Sequence, residues 1–358
     1  MSREFRKDIK GRGASSNFSN RYDSLTYEPT EEDFDNYQEE EKPLLRTEIL
    51  KDSSRTIISQ NKSPDIGFTY SINSYRGCEH GCSYCYARPS HEYLGHSPGL
   101  DFESKIYVKE EGPQLLREAL MKPSWKGDVI MMSGITDCYQ PLERKMQLTR
   151  GCLQVLAEFK NPASLITKNA LITRDLDIFT DMAKYDGILI YISVTSLNAD
   201  LAAKLEPRTS RPEARLKAIE TLAAAGIPVG VNVAPCIPGL TDHEMPMILK
   251  RAKEAGAKFA GYTPLRLPST VLPIFSEWLE VHEPLKKDKV LNAVKDIRGG
   301  RLNDPNFGSR MRGEGARADH LEQMFEIYCR KWSLNKEEFH LSSASFKRPT
   351  NQLSFDID

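Results

Sequence analysis

The sequence predicts an α/β protein built as a partial (β/α)6 TIM-like barrel, with a C-terminal helical cap and a weakly ordered N-terminal tail. Two observations carry this reading. Six short apolar runs alternate with amphipathic segments of helical length, the pattern of parallel βαβ units. Right-handed crossovers curl such units into a partial or full barrel. A cysteine-rich loop directly follows the first run, which puts it at the carboxyl ends of the strands, where parallel sheets bind their ligands. A Rossmann sheet is the structural competitor, but no G-x-G-x-x-G string follows the first strand.

Taken in order, residues 1–60 read as the tail. Lys10–Ser16 is small and basic, and Glu31–Glu41 is acidic with few apolar residues, so neither buries enough surface to order itself. Order is expected to begin near Thr56. The barrel is expected over 61–270. Its strands are Tyr70–Tyr75, Asp128–Ser133, Ser164–Thr167, Ile188–Val194, Val229–Ala234 and Phe259–Thr263, with helices over Gln114–Met121, Leu142–Phe159, Asp175–Lys184, Arg211–Ala225 and Glu244–Ala255. Leu216, Ile219, Leu222 and Ala223 recur at helical spacing. Gly226 closes that helix, with Pro228 beyond it, and Gly256 closes the next. Residues 271–358 form the cap, with helices over Pro273–Leu279, Lys289–Ile297 and His320–Lys331. A Gly/Arg-rich stretch from Arg298 to Arg317 reads as a mobile loop.

Composition narrows the class. The chain has 358 residues, 39% hydrophobic and 28% charged, enough to bury a substantial core. Its net charge of −1 is no global signal for nucleic acid, so any such site must be a local patch. No stretch approaches the apolar length of a membrane span. The start, Met1–Lys7, has no apolar core and no cleavage signature. A cytoplasmic protein with reduced thiols is therefore expected, and seven cysteines, an odd number, argue against a disulfide framework.

The most informative residues are Cys78, Cys82 and Cys85, spaced C-x3-C-x2-C. Three thiolates within eight residues can wrap one metal centre. Iron–sulfur clusters usually take four thiolates, so one iron would be left open to an outside ligand. Zinc is the rival, with His80 or Cys138 as fourth ligand, although the spacing lacks a second Cys-x2-Cys half.

Longer strings sharpen the reading. They are Asn61–Phe68, Tyr86–Tyr93, Gly99–Glu103, Thr136–Glu143, Leu205–Arg208, Ala234–Gly239 and Leu265–Pro268. With the cysteine loop, and in this order, they resemble the DNA-repair-photolyase and spore-photoproduct-lyase-related branch of the radical SAM superfamily, nearest an uncharacterised bacterial subgroup. The resemblance covers roughly residues 45–330. It implies that Cys78, Cys82 and Cys85 ligate a [4Fe-4S] cluster whose fourth iron is chelated by S-adenosylmethionine (SAM). It also implies a one-electron reductant such as flavodoxin or ferredoxin. Tyr84 would pack near the adenine, and Thr136 and Asp137 would accept the SAM ammonium. Lys168, at the third strand end, is a further candidate, though an exposed lysine is the commoner reading. Ser193 and Thr195 would bond the ribose or carboxylate. Arg208 would pair with the SAM carboxylate, or structurally with Glu206. Pro235 and Ile237 would border the adenine with backbone groups.

Cys138 departs from the pattern, since relatives are expected to carry proline there. In spore photoproduct lyase, the cysteine that returns a hydrogen atom falls at the place of Ile135. Cys138 is therefore a catalytic candidate only as the alternative to a buried packing thiol. Cys152, Cys236 and Cys329 read as core, with Cys236 at a strand end where facing the cavity is the alternative.

The function these features imply is reductive cleavage of SAM to a 5′-deoxyadenosyl radical that abstracts hydrogen from substrate. Nucleic acid is the substrate suggested by the branch and by Arg298, Arg301, Arg310, Arg312 and Arg317. A protein side chain, a tRNA base or a metabolite stays open. The competing class is a non-enzymatic iron–sulfur or zinc protein acting through a partner. A zinc hydrolase is disfavoured because no H-E-x-x-H or H-x-E string occurs.

Overall fold

The structure is a computed structural model that describes residues 9, 11–22 and 45–349. Much of the expected tail, residues 1–8, 10 and 23–44, lies outside the described residues, as does 350–358. The strands in chain order are β1 (Glu48–Lys51), β2 (Ile58–Gln60), β3 (Tyr70–Ile72), β4 (Tyr75–Arg76), β5 (Lys105–Val108), β6 (Ile130–Met132), β7 (Ala163–Thr167), β8 (Ile188–Ser193), β9 (Val229–Cys236) and β10 (Phe259–Pro264).

All six expected strands form. They pair in parallel in the order β10-β9-β8-β7-β6-β3, with β2 antiparallel on the far edge of β3. The order never reverses, so there is no switch point of the doubly wound kind. No pairing joins β10 to β3 among the described residues, and the barrel is partial. Registers such as Ile72↔Met132, Met132↔Leu165 and Ile190↔Val229 align the apolar runs. Along β6, β7 and most of β8 fully buried residues alternate with half-buried ones, the period-2 signature of a strand with two unlike faces.

Three elements depart from the sequence reading. The first expected strand breaks after Ile72, and Tyr75–Arg76 joins a separate sheet, β1-β5-β4, that the sequence pattern did not show. The helix expected over Leu142–Phe159 is two, Glu143–Met146 and Leu148–Glu158, separated by Gln147 at φ +52°. Buried Glu143 explains the break. Its carboxylate accepts from the Tyr75 hydroxyl and from the Thr149 and Arg150 N–H groups, so it caps the second helix from within the first. A helix over Ala199–Leu205, capped by Asn198, was also not anticipated.

The two ends of the barrel are closed differently. Helices Val271–His282 and Lys287–Asp296 bury Phe275, Trp278, Val290 and Val294 against Cys82, Tyr84 and Ile237, at the carboxyl ends. The longest helix, Ala316–Lys331, instead packs on Met245–Glu254 at the barrel's flank. Beyond it Asn335 exchanges two side-chain bonds with the Ala260 backbone on the open edge of β10. Ser342 and Lys347 then bond the carbonyls of Asp186 and Phe159, which precede β8 and β7, so this segment crosses the amino ends.

Candidate active site

A loop that presents three thiols side by side has no ladder to satisfy its backbone, so other groups must. The Cys78 N–H donates to Phe102 O at 2.9 Å, Ser83 N–H to Leu205 O at 3.0 Å, and His80 O accepts from Arg208 N–H at 3.2 Å. Gln140 accepts the Glu79 N–H at 2.9 Å and donates to Gly77 O at 3.3 Å. Fully buried Arg88 donates to Cys82 O from Nε and Nη2 at 3.0 and 2.8 Å, and pairs with buried Glu103 at 2.5 Å. Gly77 and Gly81 adopt φ +81° and +66°, which a residue with a Cβ reaches only with strain.

Cys78 and Cys82 are buried and Cys85 is half-buried. Burial pushes the Cys82 thiol well up, with Glu206, Cys85 and Cys78 adding to it. Burial and then Cys78 push the Cys85 thiol up to about 11. Cys78 contributes to the rise at both Cys82 and Cys85, so the loop brings the three thiols into one neighbourhood. A bound metal supplies the positive charge at which a coordinating thiol gives up its proton, so this trio fits thiolate-bound iron. Among the described residues no three His, Cys, Asp or Glu side chains converge on one point, as ligands of a single ion would. Cluster thiolates each hold a different iron and need not.

Around the loop the structure gathers several expected residues. The Lys168 ammonium donates to Ala234 O at 3.1 Å, lies 6.0 Å from the Tyr84 ring centre, and acts on both Cys82 and Cys85. It therefore points at the cysteine loop. Tyr84 is tied by its hydroxyl to Thr195 at 3.3 Å and to the Glu206 carboxylate. Thr195 donates to Glu206 at 2.6 Å. Buried Arg215 completes this knot, pairing with Glu206 and donating to Thr209 Oγ1, Ser193 O and Ser210 O. Glu206 is thus the partner of Arg215, not of Arg208. Arg208 instead pairs with Glu79 of the cysteine loop at 3.1 Å.

Asp137 is fully engaged. Its Oδ1 accepts from Thr167 Oγ1 at 2.6 Å and Tyr139 N–H at 2.9 Å, and its Oδ2 from Lys168 N–H at 2.8 Å, with His80 Nδ1 at 3.3 Å. Burial works against this carboxylate, but His80, Thr167 and the Lys168 N–H hold its pKa down to about 2. It clamps the cysteine loop to the end of β7. The other nitrogen of His80 lies 3.2 Å from Asn169 Nδ2. Thr136 is buried and donates to Tyr75 O at 3.3 Å. Pro235 lies within β9, while Ile237 is buried in the cap's apolar cluster with its N–H bonded to Thr241 Oγ1. Cys138 packs in the main core, apart from the three loop cysteines, and burial pushes its thiol well up. Those surroundings suit packing.

Two pieces of the site were not legible as such. The first lies in the presumed tail. Arg12 donates to Glu103 O at 2.5 Å, and the Gly13 and Ala14 N–H groups donate to the Glu103 carboxylate at 3.0 and 2.9 Å. Farther on, Asn20 bonds Glu92 O and Arg21 pairs with Glu92 at 2.7 Å. Residues 11–22 are thus strapped over the loop's flank. The second is the pair Glu206 and Arg215. The available signal was a charged residue, Arg215, on the apolar face that carries Leu216 and Ile219.

The arginine stretch also proves different. Arg298 is buried and donates to four carbonyls, those of Pro264, Leu265, Ser309 and Arg310. Arg310 forms a two-pronged bond with Asp65, each prong 2.7 Å, and Arg317 pairs with Asp296. These three are engaged within the chain, which leaves Arg301 and Arg312 exposed and without ion pairs among the described residues. Arg310 and the Gly308 N–H hold the Asp65 carboxyl down to about 2 from its ordinary 3.8. Its contribution to order is therefore complete above the ordinary value and lost as pH falls through about 2. Asp65→Asn should lower hydrogen-exchange protection around Ser309–Arg312 severalfold at neutral pH. In the wild type the same loosening should appear only in acid, and equal protection in both proteins would rule out the clasp.

No helix among the described residues is long and apolar enough to cross a membrane. In solved structures the fold recurs in spore photoproduct lyase complexed with dinucleoside spore photoproduct, at TM-score 0.57 and 16% identity over 79% of each chain. It recurs in a mutant of that lyase with bound AdoMet and the same ligand, at TM-score 0.56 and 16% identity over 79% of this chain and 78% of that one. Similar sequences include the uncharacterised protein Rv2578c of Mycobacterium tuberculosis, 35% identical over 229 residues, 63% of this chain and 67% of that one. Another is the uncharacterised protein MJ0683 of Methanocaldococcus jannaschii, 32% identical over 199 residues, 56% of this chain and 71% of that one. The family model of the radical SAM superfamily matches residues 72–252, which span β3 to the helix after β9 and include all three loop cysteines. With that barrel and that loop, the chain belongs to the radical SAM superfamily.

Proposed function

We propose that the protein is a radical SAM enzyme whose Cys78, Cys82 and Cys85 hold a [4Fe-4S] cluster, with SAM on the open iron. The observation that supports it most is the cysteine loop itself: three neighbouring thiols on one backbone-pinned loop at the carboxyl ends of a parallel partial barrel. When bound, cluster and SAM supply one-electron cleavage of the sulfonium to a 5′-deoxyadenosyl radical, and the protein supplies position and exclusion of water. Lys168 faces this centre with a positive charge, and Tyr84 and Thr195 are held beside it by Glu206. Ser193, Thr195 and the Pro235–Ile237 backbone lie at the neighbouring strand ends, where SAM would extend. Asp137 and Arg208 act from the side of the loop, and Arg208 would reach a SAM carboxylate only by leaving Glu79.

In this reading the barrel, 61–270, carries the activity, and within the expected cap, 271–358, the helices Val271–His282 and Lys287–Asp296 close its mouth. A flavodoxin or ferredoxin in the cytoplasm would supply the electron. The substrate is nucleic acid, to be repaired or modified, by analogy of fold with a lyase solved on a dinucleoside photoproduct. Anaerobic reconstitution should load about four irons per chain. Dithionite and SAM should then yield 5′-deoxyadenosine, and Cys82→Ala should lose both iron and product. Stoichiometric zinc with no iron after reconstitution would sink the proposal in favour of a zinc protein.

A further inference from the structure

Arg266 stands just past β10, at the same end of the barrel as the cysteine loop. Its guanidinium is half-buried, and its buried Nε has no hydrogen-bond partner. Among the described residues its one bond is from Nη1 to the Met311 thioether, 3.2 Å away, a weak acceptor for a group with five donors. The nearby carboxylates are taken. Asp65 is held by both prongs of Arg310, and Asp304 by Ser309 Oγ at 2.5 Å and Asn306 N–H at 2.9 Å. Burial and the charge of Arg310 depress the pKa of Arg266, and burial with Arg266 in turn lowers that of Arg298 to about 10. A desolvated guanidinium between two others, lacking an acceptor of its own, is costly unless an anion joins it.

Its position says which anion. Tyr86, next to Cys85, is 53% exposed, and its hydroxyl donates to Gly134 O at 2.8 Å. Tyr86 feels both the Cys85 thiol and Arg266, so the three span the mouth from the first parallel strand to the last. Arg301 and Arg312, both exposed, follow on the segment that Arg298 and Arg310 hold in place. A guanidinium with free donors near an exposed aromatic ring, followed by two exposed arginines on the adjoining segment, matches a phosphate with a base beside it better than a single small anion.

We propose that Arg266 is the oxyanion-binding residue of the substrate site, and that it takes a phosphate of a single nucleic-acid strand lying across the barrel mouth. This rests on the nucleic-acid reading above and assigns its phosphate contact. Arg298 and Arg310 build the rim, and Arg266 contacts the substrate.

The test uses reconstituted wild type and Arg266→Gln, with a fluorescein-labelled single-stranded DNA 12-mer and its RNA counterpart titrated by anisotropy at several salt concentrations. Inorganic phosphate is tested separately for its effect on melting temperature. Arg266→Gln is expected to bind the strand about tenfold or more weakly. Its salt slope should fall by about 0.7, one single-strand phosphate contact. SAM affinity should be unchanged. Without ligand the variant should melt no lower than wild type, because repulsion with Arg298 and Arg310 is relieved; a clearly lower melting temperature would mark Arg266 as structural and overturn the proposal. Equal strand affinity and slope in both proteins would remove Arg266 from the site while keeping the nucleic-acid reading. If neither protein binds either strand but phosphate stabilises only the wild type, the oxyanion site stands and the nucleic-acid reading falls. No strand binding and no phosphate effect would overturn both.

Discussion

Arg215→Ala is expected to destabilise the protein by about 3–5 kcal/mol, the cost of stranding one partner of a buried ion pair. Arg215 is 1% exposed and Glu206 equally hidden. Burial alone would raise the Glu206 pKa, and Arg215, aided by Lys168, Thr195 and Tyr84, more than reverses this and lowers it. The sign for pH follows. In the wild type the lowered pKa adds stability that is present above the ordinary carboxyl value near 4.5 and is lost as pH falls through the folded value. In the variant burial is far less opposed, the carboxyl pKa rises, and ionisation becomes a cost at neutral pH. The deficit against wild type should therefore be largest near pH 8 and shrink towards pH 5. Urea unfolding followed by circular dichroism at the two pH values checks this. A deficit independent of pH would mean that lost packing, not the stranded carboxylate, dominates. Arg215→Lys keeps the charge but not the fork, and should fall between.

Gly13→Val is expected to loosen the cysteine loop from a distance in sequence. A Cβ at Gly13 would sit far inside the 3.0 Å limit from Gly81 O, between Cys78 and Cys82, so the strap must lift. Lifting it removes the Gly13 and Ala14 N–H bonds to Glu103, each a bond to a charged group worth about 1.5–3 kcal/mol. Glu103 also holds Arg88, which holds Cys82 O, so the disturbance reaches a ligand backbone. Iron should be lost to a chelator about tenfold faster or more, each 1.4 kcal/mol being a factor of ten. Trypsin should cut after Arg12 and Arg21 more readily in the apoprotein as well. Unchanged chelation and cleavage would show the strap to be dispensable.

Residues 11–22 show why part of the site escaped the sequence. Their small, polar composition is that of a solvated segment, and no hydrophobic periodicity marks it. It is held by backbone N–H groups that meet one buried carboxylate ninety residues away. Backbone donors carry no sequence signature. Glu103, Arg88 and Gln140 stood inside strings that already resembled the family, yet nothing local distinguished a loop-pinning role from an exposed one. The arginine stretch misled in the opposite direction. Clustered arginines among glycines read as a phosphate surface, but Arg298 and Arg310 are consumed by carbonyls and by Asp65, 245 residues from Arg310.

Local pattern determined the six parallel strands, most of the helices between them, and the three thiols at the strand ends. Each is written in a short window, as an apolar run, a helical period or a fixed spacing. The break at Gln147, the β1-β5-β4 sheet, the partner of Glu206, the strap over the cysteine loop and the unpaired Arg266 were decided only by tertiary structure. Each depends on which buried charge meets which donor across a long separation. That pairing is selected by the cost of leaving a desolvated group unmatched, and this cost exists only once the chain has closed around it.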